Sequence, residues 1–109
     1  MTFGELDSAL GSTGRRSLAT RLIFSLADAL DDNRSGINLD DFEKQSGYVR
    51  TNIRSVASAL REQGVLEIVY YDENVSEVDQ NPEKNTSRGR WSKQRYRLSD
   101  EVLKLFRRA

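Results

Sequence analysis

The chain has 109 residues, 37% of them hydrophobic, which is enough for one globular domain with a modest core. It contains neither cysteine nor histidine. It therefore lacks a disulfide framework, the common zinc ligands and the common general base, and we expect no metal site, no cofactor and no enzymatic activity. Its 17 basic and 17 acidic side chains cancel, and without a signal peptide or a long apolar run we expect a cytoplasmic protein with no membrane contact.

The first predicted helix covers residues 15–32 and follows an N-terminal arm of residues 1–14. Apolar side chains recur in this helix every four positions, which places them on one side of it. These side chains are Leu18, Leu22, Leu26 and Leu30. In the arm, Phe3, Leu6 and Leu10 are also spaced for a helix. We expect them either to cover the core or to contact a second copy of the chain.

Two further helices, joined by a tight turn, are predicted at residues 39–46 and 49–63. Asn38 or Asp40 can cap the start of the first, because a side-chain oxygen there can accept a backbone hydrogen bond. Gly47 is suited to end it, because glycine adopts the left-handed conformation at little cost. The second helix has one apolar face, formed by Val49, Ile53, Val56, Ala57 and Leu60.

Alternation of apolar and polar residues replaces the helical period after Gly64. Residues 66–71 and 93–98 both alternate, so they predict the two strands of an antiparallel hairpin. The loop between them, residues 72–92, is long and polar, and we expect it to be mobile. A closing helix is predicted over residues 99–108, with two acids in its first turn that suit the helix dipole.

The side of the predicted 49–63 helix opposite its apolar face carries groups that suit DNA. Arginine can form two hydrogen bonds with guanine and asparagine two with adenine, and small hydroxyls allow a close approach to the groove. No acid occurs between Arg50 and Arg61, whereas an ordinary solvated helix face more often pairs glutamates with lysines. The candidate DNA-binding residues of this face are Arg50, Thr51, Asn52, Arg54, Ser55 and Ser58.

Acidic and basic side chains are segregated in the C-terminal third of the chain. Residues 67–83 carry six acids and no base, and residues 84–97 carry six bases and no acid. Such a concentration of one charge creates a local field that can hold a polyanion. Arg97 has a second role open to it, because it can pair with Glu67 across the hairpin. The candidate DNA-binding residues of this basic stretch are Arg88, Arg90, Lys93 and Arg95.

The order of the predicted elements is helix, helix, glycine turn, helix, hairpin and helix. Within it, the segment "INLDDFEKQSGYVRTNIRSVASALREQGVLEI" resembles the core of small bacterial and archaeal regulators of the winged helix-turn-helix family. The resemblance implies an α+β fold, with a three-helix core, a two-stranded wing hairpin with a long loop and a C-terminal helix, as one domain over residues 1–109. It also implies binding to double-stranded DNA, with the 49–63 helix in the major groove and the basic wing on the backbone or in the minor groove.

Three biological roles fit these expectations. The first is a transcriptional regulator, and we expect a homodimer, because two copies of so small a module can bind two half-sites. The second is a plasmid or phage centromere-binding or replication-origin-binding protein, as in plasmid partition. The third belongs to another class: a winged-helix docking module in a larger assembly, with a protein partner on the acidic 67–83 segment. A steep salt dependence of DNA binding separates the first two roles from the third.

Overall fold

Five helices and three strands occur in the part of the chain that the computed structural model describes, residues 1–31, 36–71 and 93–106. In chain order they are α1 (Phe3–Ser12), α2 (Arg16–Asp31), β1 (Ile37–Asn38), α3 (Leu39–Ser46), α4 (Arg50–Glu62), β2 (Leu66–Tyr71), β3 (Lys93–Leu98) and α5 (Asp100–Phe106). The chain is therefore an α+β protein, as the sequence predicts. The long loop expected at residues 72–92 lies outside the described residues.

Helices α2 to α5 each lie within a predicted helical segment, and α1 lies in the segment expected as an N-terminal arm. A capping box begins α1. The Thr2 hydroxyl accepts a hydrogen bond from the backbone N–H of Glu5 (3.1 Å), and the Glu5 carboxylate accepts one from the N–H of Thr2 (3.0 Å). The box satisfies two N–H groups that the helix itself leaves without acceptors.

The three strands form one antiparallel sheet in the order β1-β3-β2, so β3 is the central strand. The predicted hairpin is β2 with β3, in which Ile68 lies opposite Tyr96. β1 pairs with the other edge of β3, where Ile37 also lies opposite Tyr96. Because β1 has only two residues, no alternation of apolar and polar residues marks it in the sequence.

The ends of α3 are fixed by the residues that the sequence suggests. The side chain of Asn38 accepts a hydrogen bond from the backbone N–H of Asp41 (2.7 Å), so Asn38 and not Asp40 is the cap. Gly47 ends the helix in the left-handed conformation, with φ of 77°. Three residues after it, α4 begins, so α3 and α4 are joined by a tight turn.

One hydrophobic core is shared by the helices and the sheet. The apolar stripe of α2 contributes Leu18, Leu22 and Leu26, while the side chain of Leu30 lies outside the described part. Both ends of the chain pack on this core as well. Their buried residues are Leu6, Ala9 and Leu10 of α1 and Val102 and Leu105 of α5. Of the two roles expected for the apolar residues of the arm, Leu6 and Leu10 therefore cover the chain's own core.

Two valines depart from the predicted periodicity. Val49, expected on the apolar face of α4, is 60% exposed. It precedes the first helical residue and has extended backbone (φ −71°, ψ 133°), so the helical period does not carry it onto that face. Val69 lies on the side of β2 opposite Ile68 and is nevertheless fully buried.

Candidate nucleic-acid interface

Helix α4 presents one buried and one open face. Ile53, Val56, Ala57 and Leu60 are buried in the core. The opposite side chains of Thr51, Arg54, Ser55 and Ser58 are exposed, as the sequence predicts. Asn52 is half-buried between the two faces. From Thr51 to Ser58 the open face is therefore made of one arginine and three small hydroxyl side chains. The exposed acid Glu62, the last residue of α4, lies one turn further along the same face.

The start of α4 differs from the starts of α1, α3 and α5. Those three helices have acids in their first turn and a hydroxyl or amide side chain before it, from Thr2, Asn38 and Ser99. Helix α4 follows Val49, which offers no side-chain acceptor, and no acid lies in its first turn. Its N-terminal N–H groups and the positive end of its dipole are thus left to solvent or to an anion.

Arg50, the first residue of α4, belongs to a cluster of four charged side chains that we call the Asp40 cluster: Asp40, Glu43, Arg50 and Lys93. Arg50 Nη2 donates to Asp40 Oδ1 and to Glu43 Oε1 (3.0 Å). Lys93 Nζ lies 3.1 Å from Asp40 Oδ2. Asp40 is thereby bound to the first residue of α4 and to the first residue of β3.

Hydrogen bonds within the Asp40 cluster favour the charged forms of Asp40 and Arg50. Hydrogen bonds from Arg50 and then from Lys93 hold the pKa of Asp40 below its usual value. The carboxylates of Glu43 and then Asp40 raise the pKa of Arg50. The Asp40 side chain is 33% exposed and that of Arg50 41%, so solvent screens these pairs only in part.

The charged side chains of β3 lie on the sheet face opposite the buried Tyr96. Arg97 Nε donates to Glu67 Oε1 at 3.0 Å, so the cross-strand pair that the sequence suggested does form. Arg95 is half-buried and lies opposite Val69 in the register. On the core side, the Tyr96 hydroxyl donates to Gln94 Oε1 at 2.7 Å, and burial raises the pKa of Tyr96.

The structure distributes the predicted DNA-binding residues over three environments. Thr51, Arg54, Ser55 and Ser58 lie together on the open face of α4, with Asn52 at its border. Arg50 and Lys93 lie in the Asp40 cluster, and Arg95 lies beside them on β3. Arg88 and Arg90 lie outside the described residues.

Sequence reasoning missed the two acids of the Asp40 cluster. Asp40 and Glu43 lie three positions apart on α3, which places both on one side of the helix. That spacing was visible in the sequence. Their partners were not, because Lys93 is 53 positions away from Asp40 and reaches it only through the sheet.

Neither a metal-binding group nor a membrane-spanning helix occurs in the described part of the chain. Across residues 1–31, 36–71 and 93–106, no group of three or more Asp and Glu side chains could hold a metal ion. No helix in these ranges is long and apolar enough to cross a membrane. Comparisons of the chain with protein-family models, with curated proteins and with solved structures found no match.

Proposed function

We propose that the chain is a double-stranded DNA-binding protein of the winged helix-turn-helix type that inserts α4 into the major groove. The observation that carries the proposal is the open face of α4, which is exposed, carries no acid from Thr51 to Ser58 and follows a helix start with no side-chain cap. Arginine and small hydroxyl groups are the side chains that contact guanine edges and phosphates at close range.

The arrangement around α4 supports the proposal. α3 and the Gly47 turn precede α4 directly, as in helix-turn-helix proteins, where the second helix lies in the groove. The 13 residues of α4 are anchored by its buried face. A helix held rigidly by the core can present its open side chains in a fixed geometry to the base edges.

The hairpin of β2 and β3 corresponds to the wing in this proposal. Arg95 lies in the middle of β3 and would approach the DNA backbone. The contacts proposed for Arg88 and Arg90 in the minor groove rest on the sequence, in which the two arginines flank a glycine that adds no bulk between them.

The proposed biological role is that of a transcriptional regulator that occupies an operator as a homodimer. A module with one short helix in the groove buries limited DNA surface, so two copies on two half-sites give the affinity that specific binding needs. Binding to a plasmid or phage centromere or replication origin would use the same α4 surface. Sequencing the genomic fragments that the protein selects separates these roles.

The test of the proposed function is DNA binding by charge-matched variants. Ser55→Glu introduces a negative charge on the open face of α4, and Ser8→Glu introduces the same charge at an exposed position of α1. We expect Ser55→Glu to abolish binding to duplex DNA, and Ser8→Glu to leave most of it, because only the first charge would face the phosphates. Equal effects of the two variants, or wild-type binding without salt dependence, would refute the proposal.

A further inference from the structure

The Asp40 cluster lies beside the proposed DNA-binding face and cancels positive charge there. Arg50 begins α4 and Lys93 begins β3, so both cations stand at the ends of elements that the proposed function directs toward DNA. Asp40 binds both of them, and Glu43 gives Arg50 a second acceptor. Within the Asp40 cluster, the charges of the two cations and the two carboxylates cancel.

The hydrogen bonds of Arg50 limit what its side chain can bind. Asp40 and Glu43 both accept from the same atom, Nη2. A guanidinium has two edges with paired donors, Nε with Nη2 and Nη1 with Nη2, and Nη2 belongs to both. Two parallel hydrogen bonds to guanine are therefore unavailable to Arg50 while both carboxylates are bound. Arg54 is exposed and has no ion pair within the described ranges, so both of its edges remain available.

Replacement of the two carboxylates by DNA phosphates would be unfavourable. The side chains of Asp40 and Glu43 are only 33% and 35% exposed. If Arg50 and Lys93 turned to phosphates, both carboxylates would be left partly buried, without their partners and close to the negative backbone. Removing one partner of a partly buried pair costs more than breaking an exposed one. A phosphate contact of Arg50 or Lys93 therefore has to replace an existing ion pair, which reduces what that contact adds to DNA affinity.

We infer that Asp40 and Glu43 are specificity-determining residues of the DNA-binding surface, because they withhold Arg50 and Lys93 from phosphates. The inference rests on the proposed function. Phosphate contacts add affinity for every sequence, whereas base contacts discriminate among sequences. With two cations neutralised, affinity for random DNA stays low, and the base contact of Arg54 accounts for a larger share of the binding.

The inference is tested by removing the two negative charges with amides. In the double variant Asp40→Asn, Glu43→Gln the side chains keep their size, so the fold should be kept, but they lose their charge and hold Arg50 less strongly. We expect affinity for a random-sequence duplex to rise roughly tenfold at about 0.1 M salt. The slope of log K against log salt concentration should steepen by about one unit for the release of Arg50. Adding Arg50→Gln to the double variant should lower the slope of log K against log salt concentration by about one unit. The same change in the wild type should lower it much less.

Asp41→Asn is the matched control, because Asp41 is exposed, adjoins Asp40 and makes no side-chain ion pair within the described part. If Asp41→Asn raises the affinity for random duplex as much as Asp40→Asn does, the inference is overturned. The gain would then be a general effect of removing negative charge. If the double variant fails to fold, Glu43→Gln alone should still steepen the salt dependence. If the wild type binds DNA and the variant has the same salt dependence, only this inference is refuted. If neither protein binds DNA, the proposed function is refuted as well.

Discussion

Arg50 and Arg54 lie one helical turn apart on α4 and have different surroundings. Arg50 faces two carboxylates of α3, and Arg54 faces solvent. The sequence predicts both as DNA contacts, because each lies on the side of the helix opposite the apolar face. It could not separate them, since the acids that distinguish them belong to another element and meet Arg50 only after α3 packs beside α4.

The first prediction concerns Arg54. Arg54→Ala should weaken binding to the preferred DNA site by about 1–3 kcal/mol, because a contact with a base edge is lost. Thermal unfolding should be unchanged, because the side chain is exposed. Arg54→Lys serves as the control: it keeps the charge and should keep most of the affinity for random duplex while losing the preference. Loss of stability without loss of affinity would contradict the assigned helix face.

A second prediction follows from the lowered pKa of Asp40. A carboxyl whose pKa is lower in the folded chain stabilises the fold above its unfolded pKa of about 3.9, and this contribution is lost as the pH falls through the folded pKa. Asp40→Asn should therefore lower the free energy of unfolding at neutral pH, by less than about 1 kcal/mol per pair because solvent screens the cluster. In urea denaturation the difference from wild type should vanish well below about pH 4. A difference that stays constant down to about pH 2 would contradict the ion-pair account.

At the scale of elements, the buried face of α4 carries the third prediction. Leu60 is fully buried in the core, and Ser58, two positions earlier, is exposed. Leu60→Ala should cost roughly 2–5 kcal/mol in the free energy of unfolding, because a large side chain leaves a cavity. Ser58→Ala should change it by no more than about 0.5 kcal/mol. Similar denaturation curves for the two variants would mean that the helix is rotated from the orientation described.

The fourth prediction concerns Gly36, which leads into β1. Its φ of 116° is unfavourable for other residues, and a Cβ atom there would collide with the carbonyl oxygen of Tyr96 in β3. Gly36→Ala should cost about 2–4 kcal/mol, because strain and the collision add. Gly64→Ala is the control, since its φ is 76° and no atom lies within 4 Å of the added Cβ; it should cost about 1 kcal/mol. Equal losses would show that β1 is not held against β3.

The helices and strands that could be predicted are those that a local sequence pattern determines. The spacing of apolar residues located α2 and α4, cap and helix-dipole signals located α3 and α5, and alternation located β2 and β3. The helical nature of α1 was indicated by the spacing of Phe3, Leu6 and Leu10, but its packing on the core was left open. β1 and the Asp40 cluster depend on contacts between distant segments, which periodicity does not encode.

At the scale of the whole molecule, the two ends of the chain meet. The rings of Phe3 in α1 and Phe106 in α5 are 6.0 Å apart at an angle of 77°, an edge-to-face arrangement. Both helices also bury residues in the core. Part of the apolar material that the sequence offers for a dimer interface is therefore engaged within one copy.

The fifth prediction tests this contact between the chain ends. A double-mutant cycle with Phe3→Ala and Phe106→Ala should give a coupling of about 0.5–1.5 kcal/mol in the free energy of unfolding, which is typical of edge-to-face rings. Sedimentation of the same variants reports the oligomeric state. Additive losses of stability together with dissociation of a dimer would assign the two rings to an interface between copies instead.

Asn38 belongs to both β1 and the start of α3, and this has a consequence for the synthesis of the chain. The residue that caps α3 pairs with Arg95, and its neighbour Ile37 pairs with Tyr96, 59 positions later in the sequence. While the chain is being translated, α3 and α4 can form as helices, but the strand that orients α3 has not yet been made. The proposed DNA-binding surface would then be completed only when β3 has left the ribosome, so a nascent chain that carries the α4 side chains should not yet hold them in a binding geometry.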